Sequence, residues 1–219
     1  MEDIGLILQN MRDPAGIPAY SLLFQWLMII TWIFHIAFVL LSLGSAGLAI
    51  VSFSRKRKGV YWERLSIAMT KVAKVSISLL IVLGVAPLLF TQVIYDPQWY
   101  TANVLSARWV IAFVFILIIA YCLWFAFYFT NHEGAKRGLN LIALISLALL
   151  LLEGLIMHAL SYQAILPAQW MEWYAPDGVI DMNGAYLHAI HWLRFLFIIS
   201  LSVPTVGLFL LAYADYKSQ

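Results

Sequence analysis

Five histidines punctuate this chain: His35, His132, His158, His188 and His191. A neutral imidazole is the common axial ligand of heme iron, and imidazoles at one depth on separate helices suit a porphyrin wedged inside a bundle. The plainer reading stands beside it: a histidine in an apolar helix can serve as an interhelical hydrogen-bonding group, and one near an interface can simply meet water. Arg194 and Glu153 also fall inside apolar runs, where an unpaired charge is costly. Arg194 needs an anion there, and either a heme propionate or Glu153 would serve. Arg108, at the start of another apolar run, could meet a propionate or a lipid headgroup. The single cysteine, Cys122, leaves no internal disulfide, no zinc cluster and no thioether attachment of a c-type heme, so any heme is held non-covalently.

Such groups need helices to carry them, and the composition supplies helices of one kind. Of 219 residues, 63% are hydrophobic and 11% charged, against about 25% charged in an ordinary soluble domain. Lipid is the expected solvent. The expected fold is all-α: an integral membrane bundle of about five transmembrane helices forming one domain over residues 1–219, with no appended soluble domain. The expected spans are 20–53, 65–95, 107–130, 139–165 and 186–213, each able to cross about 30 Å of hydrocarbon at 1.5 Å per residue. Several are overlong and would tilt or project. The segment from Met1 to Tyr20 begins with acids and contains Pro14 and Pro18, unlike a cleavable signal, and is expected to form an interfacial arm.

The connection from Ser54 to Arg64 is strongly basic, the loop at Lys136 and Arg137 is basic, and Lys217 lies near the end. The connections around Asp96 and from Pro167 to Asn183 carry no lysine or arginine. By the positive-inside rule, the amino terminus lies outside and the carboxyl terminus in the cytoplasm of a bacterial or archaeal cytoplasmic membrane. A formal charge of +2 gathered in loops bears on orientation, and no nucleic-acid role is expected. Helical rise places His35 about 30 Å from Arg55, His158 about 31 Å from Arg137 and His191 about 39 Å from Lys217. All three are therefore expected near the outer edge, with His188 one turn further out on the face of His191 and His132 in a cytoplasmic loop.

The run Phe34-His35-Ile36-Ala37-Phe38-Val39-Leu40-Leu41-Ser42-Leu43-Gly44 resembles the first helix of subunit I of the cytochrome bd oxidase superfamily, whose histidine is an axial heme ligand. The stretch Leu83-Gly84-Val85-Ala86, then Gln92 and Trp99-Tyr100, looks like that family's second helix and outer loop. Asn183 followed by Ala189-Ile190-His191-Trp192-Leu193 is similar to the segment that binds the low-spin heme b, and His188 contests that position with His191. The resemblance covers most of the chain on dispersed residues. It implies heme ligation by His35 and His191. His158 has no family counterpart and is a candidate extra ligand on its depth alone, and Met157, Met182, His158, His188 or another subunit are the candidates for a second ligand.

The departures carry equal weight. The family's oxidase subunit is about twice as long, and its distal methionine ligand, its quinol-side motif and its third-span glutamates have no counterpart here. The resemblance therefore implies a short heme b subunit, holding one to three hemes, of a multi-subunit respiratory complex. Its electrons would pass between quinone or quinol and an outward-facing redox protein such as a c-type cytochrome, with further integral membrane subunits as partners. A bd-like oxygen-reducing subunit, a diheme anchor with ligands at both faces, and a non-redox scaffold or transporter subunit are the alternatives.

Overall fold

In a computed structural model, residues 4–17, 19–135 and 140–218 are described. The basic pair Lys136 and Arg137 and the Lys217 side chain lie outside them. Among the described residues there is no strand, and the chain is an all-α bundle. A short helix, α1 (Ile4–Asn10), precedes two long ones, α2 (Ser21–Ser54) and α3 (Val60–Ile94). The α4 helix (Asp96–Leu105) leads to α5 (Ala107–Thr130), α6 (Asn140–Ala164) and the short α7 (Trp170–Tyr174). The chain closes on α8 (Trp192–Ser200) and α9 (Ser202–Ser218). Five helical spans are long and apolar enough to cross a membrane, the fifth running Trp192–Tyr216 through α8 and α9. The outward faces are apolar, with Phe115, Ile118, Leu193 and Leu208 all exposed, as a lipid-facing surface requires.

What holds the helices together is small and weakly polar, as expected where apolar side chains gain little by leaving lipid for protein. On α2, Ser45, Ala46, Ala49 and Ser52 are buried; on α3, Ser66, Thr70, Ala73 and Ser76. Ser66 Oγ donates to the Ala49 carbonyl, and Asn131 Nδ2 donates to Ser66 Oγ and Thr70 Oγ1, both at 2.8 Å. Trp124 and Phe127 of α5 complete this core, together with Leu150 of α6 and Val206 of α9. Gly44 admits α9, for a Cβ there would collide with the Ser202 carbonyl oxygen and Val206. A second core lies toward the other end of the bundle, around Trp99, Ala102, Ile156, Leu160 and Ala164.

The α2–α3 connection turns at Gly59, whose φ of +147° suits only glycine. It carries Arg55, Lys56, Arg57 and Lys58 and marks a basic end of the bundle. There, Lys56 meets Glu63 at 3.5 Å and donates to the His132 carbonyl, while Asn140 Nδ2 donates to Ser54 Oγ. That last bond sets the end of α2 level with the start of α6.

One expected boundary fails. The fifth span does not begin at residue 186: residues 179–191 are non-helical, and α8 starts at Trp192. The backbone groups of this strap are satisfied sideways. Gly184 O accepts from Arg108 N, Ala185 O from Trp109 Nε1, and Tyr186 O from Ser106 Oγ at 2.6 Å, while His188 N donates to Gln163 Oε1. Tertiary partners thus replace helical ones. A break between α8 and α9 falls one turn before Pro204, which lacks the N–H and crowds the preceding turn.

Candidate functional site at the far end of the bundle

His35 sits on α2 against α3. Its Nδ1 lies 2.9 Å from the Leu80 carbonyl oxygen. A carbonyl only accepts, so Nδ1 carries the proton and Nε2 is left with a free lone pair. The ring fits because Gly84 has no side chain: a Cβ there would come within 2.8 Å of His35 Cε1. An N–H anchored to a backbone carbonyl with the opposite nitrogen free is how ligating histidines are held. A family-like pattern singled out His35 in the sequence. Leu80's main-chain oxygen carries no sequence signal at all.

His158 and His191 are brought together by α6 and the start of α8. His191 is the N-cap of α8, its Nδ1 accepting from Arg194 N at 3.2 Å, and its own N–H donates to His158 Nε2 at 3.2 Å. Tyr162 lies beside both, with ring centroids 4.9 Å from His158 and 5.4 Å from His191, and Phe195 covers the His158 ring at 5.4 Å. In each histidine one lone pair is committed to a backbone N–H. The neutral ring then keeps its proton on the other nitrogen and presents a donor. Of the three expected ligands, His35 is the one whose ring keeps an unengaged lone pair in this conformation.

Two further expectations are corrected. His188 is not one helical turn from His191 on a shared face, because the strap is extended there; its ring instead stacks on Trp173 at 5.3 Å and 15°. Burial lowers the proton affinity of His188, opposed by a hydrogen bond to the Leu105 backbone and by the Asp181 charge. Arg194 is in the first turn of α8, exposed, with its guanidinium 5.7 Å from the Tyr162 ring centroid and Nη1 3.4 Å from Tyr162 OH. No Arg194–Glu153 pair forms; both Glu153 carboxylate oxygens lack a hydrogen-bond partner. Arg108 is exposed at the start of α5, its Nη2 3.4 Å from Asn183 Oδ1. Met157 is half-buried in the far-end core, whereas Met182 is exposed on the strap.

The depth argument gains a common zero from the Ser54–Asn140 bond. His35 is about 29 Å from Ser54 along α2 and His158 about 27 Å from Asn140 along α6. Leu80 is about 30 Å from Val60. His35 and His158 thus share one layer, and His191 joins it through its bond to His158. The residues that sequence reasoning passed over are Tyr162 and Gln163. Tyr162 follows His158 by four residues, a spacing that stacks side chains on one helix face. Gln163 is fully buried, its Oε1 accepting from His188 N and its Nε2 donating to Ser106 Oγ and the Ala102 carbonyl. A cleft of about 350 Å³ lined by Arg64, Lys71, Glu133 and Tyr213 lies at the basic end, away from these histidines. No family model, curated protein or solved structure matches the chain.

Proposed function

We propose that the chain is a heme b-binding membrane subunit of a respiratory electron-transfer complex, passing electrons between quinone or quinol and a redox partner at the far end of the bundle. The observation that carries this reading is the His35 clamp: an imidazole with its Nδ1–H fixed on Leu80, seated in the notch of Gly84, and its Nε2 unengaged. The resemblance of the Phe34–Gly44 run to the bd superfamily points to the same residue. Heme b, when bound, supplies one-electron chemistry at its iron. This chain's residues would supply the rest: His35 would hold the iron, Leu80 would fix its tautomer, and Arg194 and Arg108 would be the cations near the far end for the propionates. His158 would join the ligand set only on release of the His191 N–H, and His191 only on release of the Arg194 N–H in the first turn of α8.

The basic end is assigned to the cytoplasm on the charge of the α2–α3 connection, which puts the histidine layer toward the outside and suits a c-type cytochrome as partner. The test is a reduced-minus-oxidised spectrum of the purified protein or its complex. A heme b α-band that His35→Ala abolishes supports the reading. A heme-free wild type would instead favour a non-redox scaffold or transporter subunit.

A further inference from the structure

One acid inside a membrane-spanning helix, Glu153, belongs to no part of that reading. Glu153 is on α6, 6% exposed, and neither carboxylate oxygen has a hydrogen-bond partner. It lies about 20 Å along the helix from Asn140 and about 17 Å from Ala164, near the middle of the span. The basic-end core reaches Leu150, and the far-end core begins at Ile156, so Glu153 occupies the seam between them.

The elements packed against α6 bring it no counter-charge. In α2 the one titratable group is His35; α4 carries Asp96 at its start, and α5 carries Arg108 at its far end. On α8, Phe195 approaches Gly154, but Arg194 is engaged at Tyr162, about 14 Å further along α6. An ionised carboxylate buried there without a partner carries the desolvation penalty of an unpaired charge removed from water. Even a neutral acid leaves a donor and an acceptor unsatisfied. A glutamine or leucine of similar volume would avoid the ionic cost entirely. The carboxyl is therefore placed against the interest of packing.

We propose that Glu153 is an intramembrane proton-binding site, a carboxylic acid that holds its proton in the seam and exchanges it with water entering from the basic end. Three of the other orphaned buried polar atoms, Ser52 Oγ, Asn131 Oδ1 and Asn140 Oδ1, lie toward that end, and a fourth, Gln98 Oε1, lies on α4 at the far end. Ser146, two turns before Glu153 on the same face of α6, is fully buried, its hydroxyl donating to the Ala120 carbonyl at 2.6 Å, and so adds no unsatisfied atom to that set. Unsatisfied polar atoms of this kind are what a bridging water needs. No acid of this type was singled out by the family resemblance.

Lipophilic dicyclohexylcarbodiimide reports on such a group. The acid's proton passes to a carbodiimide nitrogen, the carboxylate oxygen adds to the central carbon, and an oxygen-to-nitrogen shift gives a stable N-acylurea with nothing lost. With the full chain in lipid nanodiscs at neutral pH, mass spectrometry should find this adduct on Glu153, absent in Glu153→Gln and not formed by a water-soluble carbodiimide. Infrared spectra should show a carboxylic acid C=O band that shifts in D2O and disappears in Glu153→Gln, a nearly isosteric variant expected to keep the fold. An unmodified Glu153 together with no acid band would overturn the proposal, because the group would be ionised. An acid band whose deuterium shift never develops would overturn it too, because the proton would be trapped. Both readouts are independent of heme, so a heme-free protein leaves them intact.

Discussion

At the scale of single residues, the account turns on which nitrogen of each imidazole is free. His35→Ala is expected to remove heme, and Gly84→Val to lower heme content with His35 still present, since the added atoms push into the ring. Pyridine hemochrome quantitation reads both. Equal loss from Leu80→Ala is not expected, because the main-chain carbonyl survives that substitution. His188 offers a pH test. Its folded-state proton affinity is depressed, so the stability it lends the strap is present above the unfolded imidazole value of about 6.5. It is lost as pH falls from that value through the lower folded-state one. Protection factors at residues 184–190, corrected for the intrinsic exchange rate, should fall on mild acidification in the wild type and lose that pH dependence in His188→Gln. The sequence made His35 legible through its neighbours' pattern. It left His191 ambiguous, because His188 lies close enough along the chain to contest the same match.

At the scale of elements, four of the five spans match their expected limits within a few residues, α5 at both ends, because long apolar runs between polar loops leave little freedom. The start of the fifth span was illegible for a physical reason. Residues 184–191 could continue a helix by composition, but Ser106, Trp109, Gln163 and His158 on other elements take their backbone groups first. Gln163→Leu should therefore cost about 1–3 kcal/mol by stranding those partners and should raise strap exchange without altering α2–α3 packing. Gly44 and Gly47 make a matched pair on α2. Gly44→Val should destabilise by about 1–3 kcal/mol through the collision with Ser202 and Val206. Gly47→Ala, with nothing within 4 Å of the added Cβ, should be neutral or stabilise by about 0.5–1 kcal/mol. Thermal unfolding in a mild detergent compares them.

At the scale of the whole molecule, the bundle is built of apolar outward faces, a basic end and a far end that gathers the histidine layer, the Gln163 hub and the strap. Cys122 is exposed on α5 yet about 23 Å along it from Ala107, within the hydrocarbon. A membrane-impermeant maleimide should leave it unmodified in intact membranes. In a Cys122→Ser background, Asp177→Cys should label in intact cells and Arg57→Cys only after permeabilisation; the reverse pattern would invert the proposed orientation. The central claim, that this bundle carries heme on His35, meets its most direct measurement in the reduced-minus-oxidised spectrum of the wild type beside His35→Ala, both purified from lipid membranes in matched amounts. The account predicts a heme b α-band in the wild type and its loss in the variant at unchanged helical content. A wild type without the band, or a variant that keeps it in full, would contradict the account.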